Sequence, residues 1–286
     1  MILQLLFAGV ITGSVYALVA IGYTLIYGVL KFINFAHGEI CAVGAFLAYS
    51  FNKQLGVPFA PAVLLSIILT SLLGIGADKI AYRPLRRSHR LILLISAIGI
   101  SVILRNAIAL VYGSYVRSLR GYALPRVYSF AGVNFTSIQI AIIASSVVFM
   151  FLLHLFLSRT RQGRAIRATS EDPEIASIFG VKTEGAISLT FGIASGLAAF
   201  GGIFIALEHD LDPNMGVMLG FKAFTASVIG GIGNVPGAML GGYLLGLIEN
   251  LSAGYISSRY KDAITLCILI GMLIARPHGL LRRREG

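Results

Sequence analysis

The sequence of 286 residues is 57% hydrophobic and only 12% charged, and its mean hydropathy is +0.85. Soluble domains carry about 25% charged residues, so this composition excludes an ordinary soluble domain and indicates an integral membrane protein. The net charge of +11 does not indicate nucleic-acid binding, because the arginines lie in short groups beside apolar segments without a platform for base stacking.

Nine apolar segments follow one another along the chain, and a helix needs about 20 such residues to cross a bilayer. They cover approximately residues 2–30, 32–51, 58–77, 91–112, 137–157, 186–207, 221–235, 236–251 and 263–275. They lack the alternating polarity of transmembrane β-strands. The first segment has no Lys or Arg before Lys31, so we expect it to be retained rather than cleaved as a signal peptide. The pattern predicts one all-α transmembrane domain over residues 1–286, with about eight or nine crossings.

The basic residues between these segments predict the orientation, because cytoplasmic loops carry an excess of Lys and Arg. Three groups are assigned to the cytoplasm: Lys79, Arg83, Arg86, Arg87 and Arg90; Arg159, Arg161, Arg164 and Arg167; and Arg276, Arg282, Arg283 and Arg284. The turn with Glu208, Asp210 and Asp212 is assigned to the outer face. The N-terminus is then outside and the C-terminus inside. Arg117, Arg120 and Arg126 fit poorly, because the loop 113–136 must then be external.

Glycine recurs at the small-xxx-small spacing that lets helices approach closely in lipid. The pairs are Gly9/Gly13, Gly192/Gly196, Gly237/Gly241 and Gly242/Gly246, and we interpret them as helix packing. The run 230–237 differs, because four glycines and a proline disfavour a helix. A broken helix is predicted there, and Gly230, Gly231, Gly233 and Asn234 either line a pathway or form a tight turn.

No enzymatic site is recognisable in the sequence. None of the six lysines follows a glycine, so the GxxxxGK[ST] nucleotide-binding motif is absent. Cys41 and Cys267 lie in apolar segments and offer neither a disulfide framework nor metal-ligand spacing. We expect no catalytic residue, metal or cofactor. Among charges within apolar segments, Glu39 and Glu249 are expected near the membrane surface, and Arg105 is the one costly mid-segment charge.

Two polar segments stand out. The sequence NFAHGE at 34–39 places Asn34, His37 and Glu39 near the start of the second apolar segment, where Glu39 favours a helix N-terminus. The segment 158–184 is the longest cytoplasmic one, and within it Asp172 is suited to cap a helix that starts at Pro173 and ends before Gly180. The helix at 173–179 would have an apolar face, which either lies on the membrane or docks into a partner.

These segments resemble a known family. Three motifs carry the resemblance: NFAHGE at 34–39; GRAIRA at 163–168, which runs into EDPEIASIFGV at 171–181; and GGIGNVPGA at 230–238, followed by Gly241 and Gly242. They are similar to motifs in the permease subunits of branched-chain amino acid ABC importers, in particular the LivH type. The resemblance extends over essentially the whole chain, in order. It implies an inner-membrane location.

The resemblance also implies a five-part assembly. Its other members would be a second related permease, two ATPase subunits and a periplasmic binding protein that delivers leucine, isoleucine or valine. Residues of the coupling helix would contact an ATPase: Glu171, Asp172, Pro173, Glu174, Ile175, Ile178, Phe179 and Gly180. Asn34, His37 and Glu39 become candidates for pathway lining together with the glycine run. Similar permeases serve urea, short amides or other amino acids, and a stand-alone carrier or channel is the alternative from another class.

The orientation can be tested with single cysteines at Asp210 and Arg284 in a chain whose two native cysteines are replaced. A thiol reagent that cannot cross the inner membrane should label Asp210→Cys in intact cells, and Arg284→Cys only after the membrane is permeabilised. The opposite pattern would reverse the assigned orientation.

Overall fold

The computed structural model describes residues 2–86, 88–119, 126–130, 132–276 and 278–281. Arg87, Arg120 and Arg282 to Arg284, which we used as charge markers, lie outside these residues. Eleven α-helices are found in the described part of the chain: α1 Ile2–Leu30, α2 His37–Tyr49, α3 Phe59–Ala77, α4 Arg90–Tyr112, α5 Ser137–Arg159, α6 Arg161–Glu171, α7 Pro173–Ile178, α8 Thr183–Glu208, α9 Met215–Gly230, α10 Val235–Ser252 and α11 Lys261–Ala275.

Short helical turns extend three of these helices. A π-turn over Ser50–Gln54 follows α2, and α3 continues through Asp78–Tyr82 and Arg83–Leu85. After α10 the chain passes through Ala253–Ser257 and Ser258–Tyr260 into α11. Before α5, strand β1 Val127–Phe130 pairs with β2 Val133–Thr136 in an antiparallel hairpin, with Val127 opposite Thr136.

By length and composition, five helices of the described residues can each cross a membrane. They are Ile2–Leu30, Phe59–Leu85, Arg90–Tyr112, Ser137–Arg159 and Thr183–Glu208. A sixth span is possible if Met215–Gly230 and Val235–Ala275, which meet at an angle of 119°, count as one broken span. The expected eight or nine crossings are therefore not confirmed by this criterion. Helix α2 alone has 13 residues, which is about 20 Å and shorter than the bilayer core of about 30 Å.

Helices α1 and α8 form the centre of the bundle. In the most apolar part of each helix, 67% of the residues of α1 and 83% of those of α8 are buried inside the protein. The buried share is only 28% in α3, 17% in α4 and 22% in α5. The outer helices carry large exposed apolar side chains such as Ile103, Leu110 and Phe151. Surface of this kind is stable in lipid and not in water, so these three helices form the membrane-facing side.

Glycine brings the central helices into backbone contact. A Cβ on Gly246 of α10 would meet the backbone of Gly9 and Gly13 in α1, and one on Gly242 would meet the backbone of Ala17. The other predicted pairs also face a neighbouring element closely. The interpretation of the small-xxx-small pairs as helix packing is therefore confirmed.

The bundle has two distinct ends. We call the first the α7 end, because α7 lies there between α6 and the start of α8. The link between α9 and α10 and residues 278–281 also lie at this end, where the Leu281 amide donates to the Gly230 carbonyl at 3.2 Å. At the opposite end, which we call the hairpin end, Gln4 of α1 bonds to Asn134 of β2 at 2.8 Å, and Gln139 of α5 donates to Glu208 of α8 at 3.0 Å.

Helix α2 begins inside the bundle rather than at its surface. After α1 ends at Leu30, Lys31 adopts a positive φ of 53° and the non-helical residues 31–36 lead back along α1. The His37 ring then lies 4.6 Å from the ring of Tyr23 and against Gly22. Gly22 is eight residues before the end of α1, or about 12 Å along its axis. Irregular backbone at this depth is tolerated because it is enclosed by protein.

Candidate functional site

The predicted capped helix is present as α7. The Asp172 carboxylate accepts hydrogen bonds from the amides of Glu174 and Ile175 at 2.8 and 2.9 Å. Gly180 ends the turn with a φ of 80°, a conformation that costs glycine little. The helix ends at Ile178 instead of Phe179, which adopts the C-cap position.

The apolar residues of α7 point away from the rest of the chain. Ile178 and Phe179 are each 82% exposed and Ile175 is 54% exposed, whereas Ala176 is buried at 4%. The predicted contact residues thus lie on one short segment: Glu171, Asp172, Pro173, Glu174, Ile175, Ile178, Phe179 and Gly180. Such a face can bind an apolar groove in another protein.

Helix α6 holds α7 against the bundle. Its N-terminus is capped by Thr160, whose hydroxyl accepts from the Gly163 amide at 2.9 Å. Gly163 packs so closely on the end of α5 that a Cβ there would meet the Phe156 carbonyl. Ile166 is buried in a cluster with Ile26 and Val29 of α1. These contacts place α7 at a defined position.

A group of ion pairs connects the first turn of α8 to the end of α3. We call it the charge clamp: Asp78, Arg83, Arg86, Glu184 and Ser188. Glu184 binds Arg83 at 2.8 Å and Arg86 at 2.6 Å, and Arg86 also pairs with Asp78. Ser188 donates to Asp78 at 2.6 Å. Because Glu184 lies only six residues after the end of α7, the clamp also fixes the C-terminal side of the α7 segment.

The candidate pathway residues before and in α2 are buried. Asn34, His37 and Glu39 are each at most 1% exposed. The Asn34 side-chain oxygen accepts from the Tyr82 hydroxyl at 2.8 Å and from the Ala36 amide at 3.2 Å. None of these three residues lines the cavities described below. Whether they contact a substrate stays a prediction.

Glu39 occupies the first turn of α2, as its sequence position indicated. The expectation that it lies at a solvated surface was wrong, because α2 starts within the bundle and Glu39 packs against Gly216 of α9. Within the described residues neither oxygen of its carboxylate has a hydrogen-bond partner. The positive charge that acts on Glu39 is Arg105, which lines a cavity of about 360 Å³.

The glycine run forms the connection between α9 and α10. Gly231 and Gly233 have φ values of 107° and 92°, and the Asn234 oxygen accepts from the Gly237 amide at 3.2 Å as the cap of α10. A Cβ on Gly230 would meet the backbone of Gly237. The segment is a turn, and Gly233 and Asn234 also line a cavity of about 540 Å³ at the α7 end, so that a role in lining a substrate pathway stays a prediction.

A buried charged group escaped the sequence interpretation. Lys222 lies within the apolar segment 221–235, and its ammonium is 2.8 Å from both Glu249 and Asp262. The Tyr16 hydroxyl donates to Glu249 at 2.7 Å. Glu249 is buried at 5%, so its expected solvated position was also wrong. A lysine inside an apolar, glycine-rich segment is the signal that could have identified this group.

Comparison with known proteins identifies the family. The family model described as "Branched-chain amino acid transport system / permease component" matches residues 5–273. The chain belongs to this family. The high-affinity branched-chain amino acid transport system permease protein BraD of Pseudomonas aeruginosa is 42% identical to it over 297 residues, covering 99% of this chain and 96% of that protein. LivH of Escherichia coli is 41% identical over 301 residues, with the same coverage.

Two solved structures support the fold of this permease. PsaBC from Streptococcus pneumoniae aligns with a TM-score of 0.53 and 12% identity, over 95% of this chain and 91% of that one. A metal-chelate type ABC transporter in an inward-facing conformation also aligns with a TM-score of 0.53, at 16% identity, over 95% and 85% of the two chains. At such low identity these matches are informative about the fold alone.

The charge clamp makes a prediction about stability. Asp78→Asn should destabilise the protein by about 3 kcal/mol, near the lower end for breaking a buried ion pair, because Arg86 retains Glu184. Glu184→Gln is the control and should cost about 1 kcal/mol or less, because Glu184 is 51% exposed. Heat-induced thiol labelling of buried Cys41 in a Cys267→Ala background would measure both. Equal losses would mean that Asp78 has no special role.

Proposed function

We propose that this chain is the transmembrane permease subunit of an ATP-binding cassette importer and forms the translocation pathway for branched-chain amino acids. The observation that carries the proposal is α7: a capped helix with an exposed apolar face, held against the bundle, in a chain similar over its full length to permeases of that transport system.

Energy for transport has to come from another subunit. The full sequence lacks the GxxxxGK[ST] motif, so this chain has no P-loop for ATP. Helix α7 offers a docking surface for one ATPase, and a pair of related permeases would accommodate two. A periplasmic binding protein supplies the substrate at the opposite end. The proposed assembly is therefore two permeases, two ATPases and one binding protein.

The distribution of charge supports an orientation in the inner membrane. The α7 end carries Lys79 and Arg83 after α3 and the arginines of 159–167, whereas the hairpin end has Glu208, Asp210 and Asp212 in one turn. By the positive-inside rule the α7 end faces the cytoplasm. In this orientation α1 starts outside and residues 278–281 lie inside.

Of the three arginines that fit poorly in the outer loop, Arg117 is accommodated by local contacts. Its guanidinium donates to the Tyr112 carbonyl at 2.6 Å and lies 5.6 Å from the ring centre of Tyr49. Its backbone pairs with Leu211. A side chain engaged in this way has a structural role beside its charge, so it weighs little against the orientation.

The contacts at the two ends also favour nine helical passes. Eight of the helices have one terminus toward each end of the bundle, namely α1, α3, α4, α5, α8, α9, α10 and α11. Helix α2 covers only part of the depth. The short helix α9 is tolerated because both of its ends, at Gly216 and Gly230, are buried among neighbouring elements rather than in lipid. In this arrangement eight helices run from one end of the bundle to the other and α2 runs part of the way, so the start of α1 and the end of α11 lie on opposite sides.

Reconstituted transport tests the proposed function. Proteoliposomes with this chain, its related permease and the ATPases should accumulate leucine, isoleucine or valine only with ATP inside and loaded binding protein outside. Proton or sodium gradients without nucleotide serve as the control, since a stand-alone carrier would use them. Gradient-driven uptake by the purified chain, or transport of urea or short amides alone, would contradict the proposal.

The docking role of α7 can be tested by a double substitution. Burial of Ile178 and Phe179 contributes roughly 1.5 to 3 kcal/mol each, and a buried unpaired carboxylate is costly. Ile178→Asp with Phe179→Asp should therefore abolish ATPase binding and uptake while the chain still reaches the membrane. Ile178→Val with Phe179→Leu keeps the face apolar and should transport. Normal uptake by the double Asp variant would show that α7 is only a helix at the membrane surface and does not bind the ATPase.

A further inference from the structure

A third cavity opens at the hairpin end among the ends of four helices. We call it the hairpin-end cavity. Its volume is about 420 Å³, and its lining includes Glu208 at the end of α8, Met215 at the start of α9, Ala253 after α10 and Lys261 at the start of α11. Cavities of roughly 300 to 1,000 Å³ are typical of small-molecule sites, so this one has room for a metabolite.

The polar side of this cavity is the charged group around Lys222. The side chains of Lys222 and Glu249 are 8% and 5% exposed, and their charged atoms are 2.8 Å apart. Asp262 lies at the same distance from Lys222 and is 38% exposed. Its sequence neighbour Lys261 is 40% exposed and 3.8 Å from Glu249. Groups of both signs therefore stand side by side in the cavity.

A charged pair at membrane depth needs partners for its remaining donors and acceptors. The ammonium of a lysine has three N–H donors, and within the described residues the hydrogen bond shown for Lys222 is to Glu249 at 2.8 Å. Asp262 Oδ1 lies 2.8 Å from the ammonium as an ion-pair partner, but no group in the described part of the chain donates a hydrogen bond to it. Both side chains line the open space, so the Lys222 ammonium and Asp262 Oδ1 can each take a further partner there.

The remaining lining separates into an apolar and an acidic part. Phe204, Ile205, Met218 and Leu219 contribute apolar surface. The acidic residues Glu208, Asp210, Glu249 and Asp262 outnumber Lys222 and Lys261, so the field in the cavity attracts ammonium groups and opposes a ligand with only a carboxylate. The matching ligand carries adjacent opposite charges and an apolar substituent.

We propose that the hairpin-end cavity is a transit site for a zwitterionic α-amino acid with an apolar side chain. The inference rests on the proposed function and locates a substrate site within one permease chain. The carboxylate of the ligand binds Lys261 and the Lys222 ammonium, its ammonium binds Asp262, and its side chain packs on Met218 and Leu219. Because Lys261 and Asp262 are partly solvated, binding is weak enough for release.

Ligand analogues test the chemistry without any mutation. The assembled transporter in nanodiscs, without binding protein, should bind L-leucine saturably in saturation-transfer NMR. The analogues 4-methylpentanoate, which lacks the ammonium, and 3-methylbutylamine, which lacks the carboxylate, should each bind at least about tenfold more weakly, or 1.4 kcal/mol. Absence of leucine binding, or equal binding of either analogue, would overturn the zwitterion site.

Substitutions then locate the site. Lys261→Gln and Asp262→Asn should each weaken leucine binding about tenfold and lower ATP-driven uptake. Both positions are partly exposed, so folding should survive. The matched controls Arg259→Gln and Asp212→Asn remove the same charges outside the cavity and should bind as the unmodified chain does.

The two levels of the proposal fail in different ways. If the unmodified assembly shows no ATP-driven uptake, the proposed function is wrong. If it transports normally while Lys261→Gln and Asp262→Asn alter neither leucine binding nor uptake, the permease function stands and the Lys222 group is only an interhelical ion pair.

Discussion

Close backbone contact through glycine is the constraint on which this bundle depends. In lipid there is no hydrophobic driving force between helices, so van der Waals packing and hydrogen bonds must supply the attraction. Helix α1 meets α10 at Gly13 and Gly246, and α2 meets α8 where Gly202 lies against Cys41. A larger side chain at these positions would separate the helices and loosen the centre.

Such close packing at the centre dictates how charge is accommodated. Lys222 reaches two carboxylates and Asp78 pairs with Arg86, so both basic groups have counterions. Glu39 is different, since it depends on the amino-terminal dipole of α2 and on Arg105 rather than on a hydrogen bond within the described residues.

The same architecture explains how a small helix at one end can influence the whole bundle. Helix α7 leads within a few residues into α8, which is the most buried of the five long helices. The charge clamp ties the first turn of α8 to α3. If α7 binds an ATPase as proposed, a displacement of α7 would be carried along α8 and α3 together, from the α7 end toward the hairpin-end cavity.

The sequence by itself determined the membrane class, the packing glycines and the capped helix at Asp172 and Pro173, because hydropathy, small-residue spacing and capping act over a few residues. It also indicated family membership through motifs in the correct order. Tertiary structure decided that α2 starts inside the bundle, that Glu39 and Glu249 are buried, and that Lys222 joins a cavity. Tyr16 and Glu249 are 233 positions apart and Lys222 and Glu249 are 27 apart. Such contacts follow from how helices pack in three dimensions, and no local pattern encodes that packing.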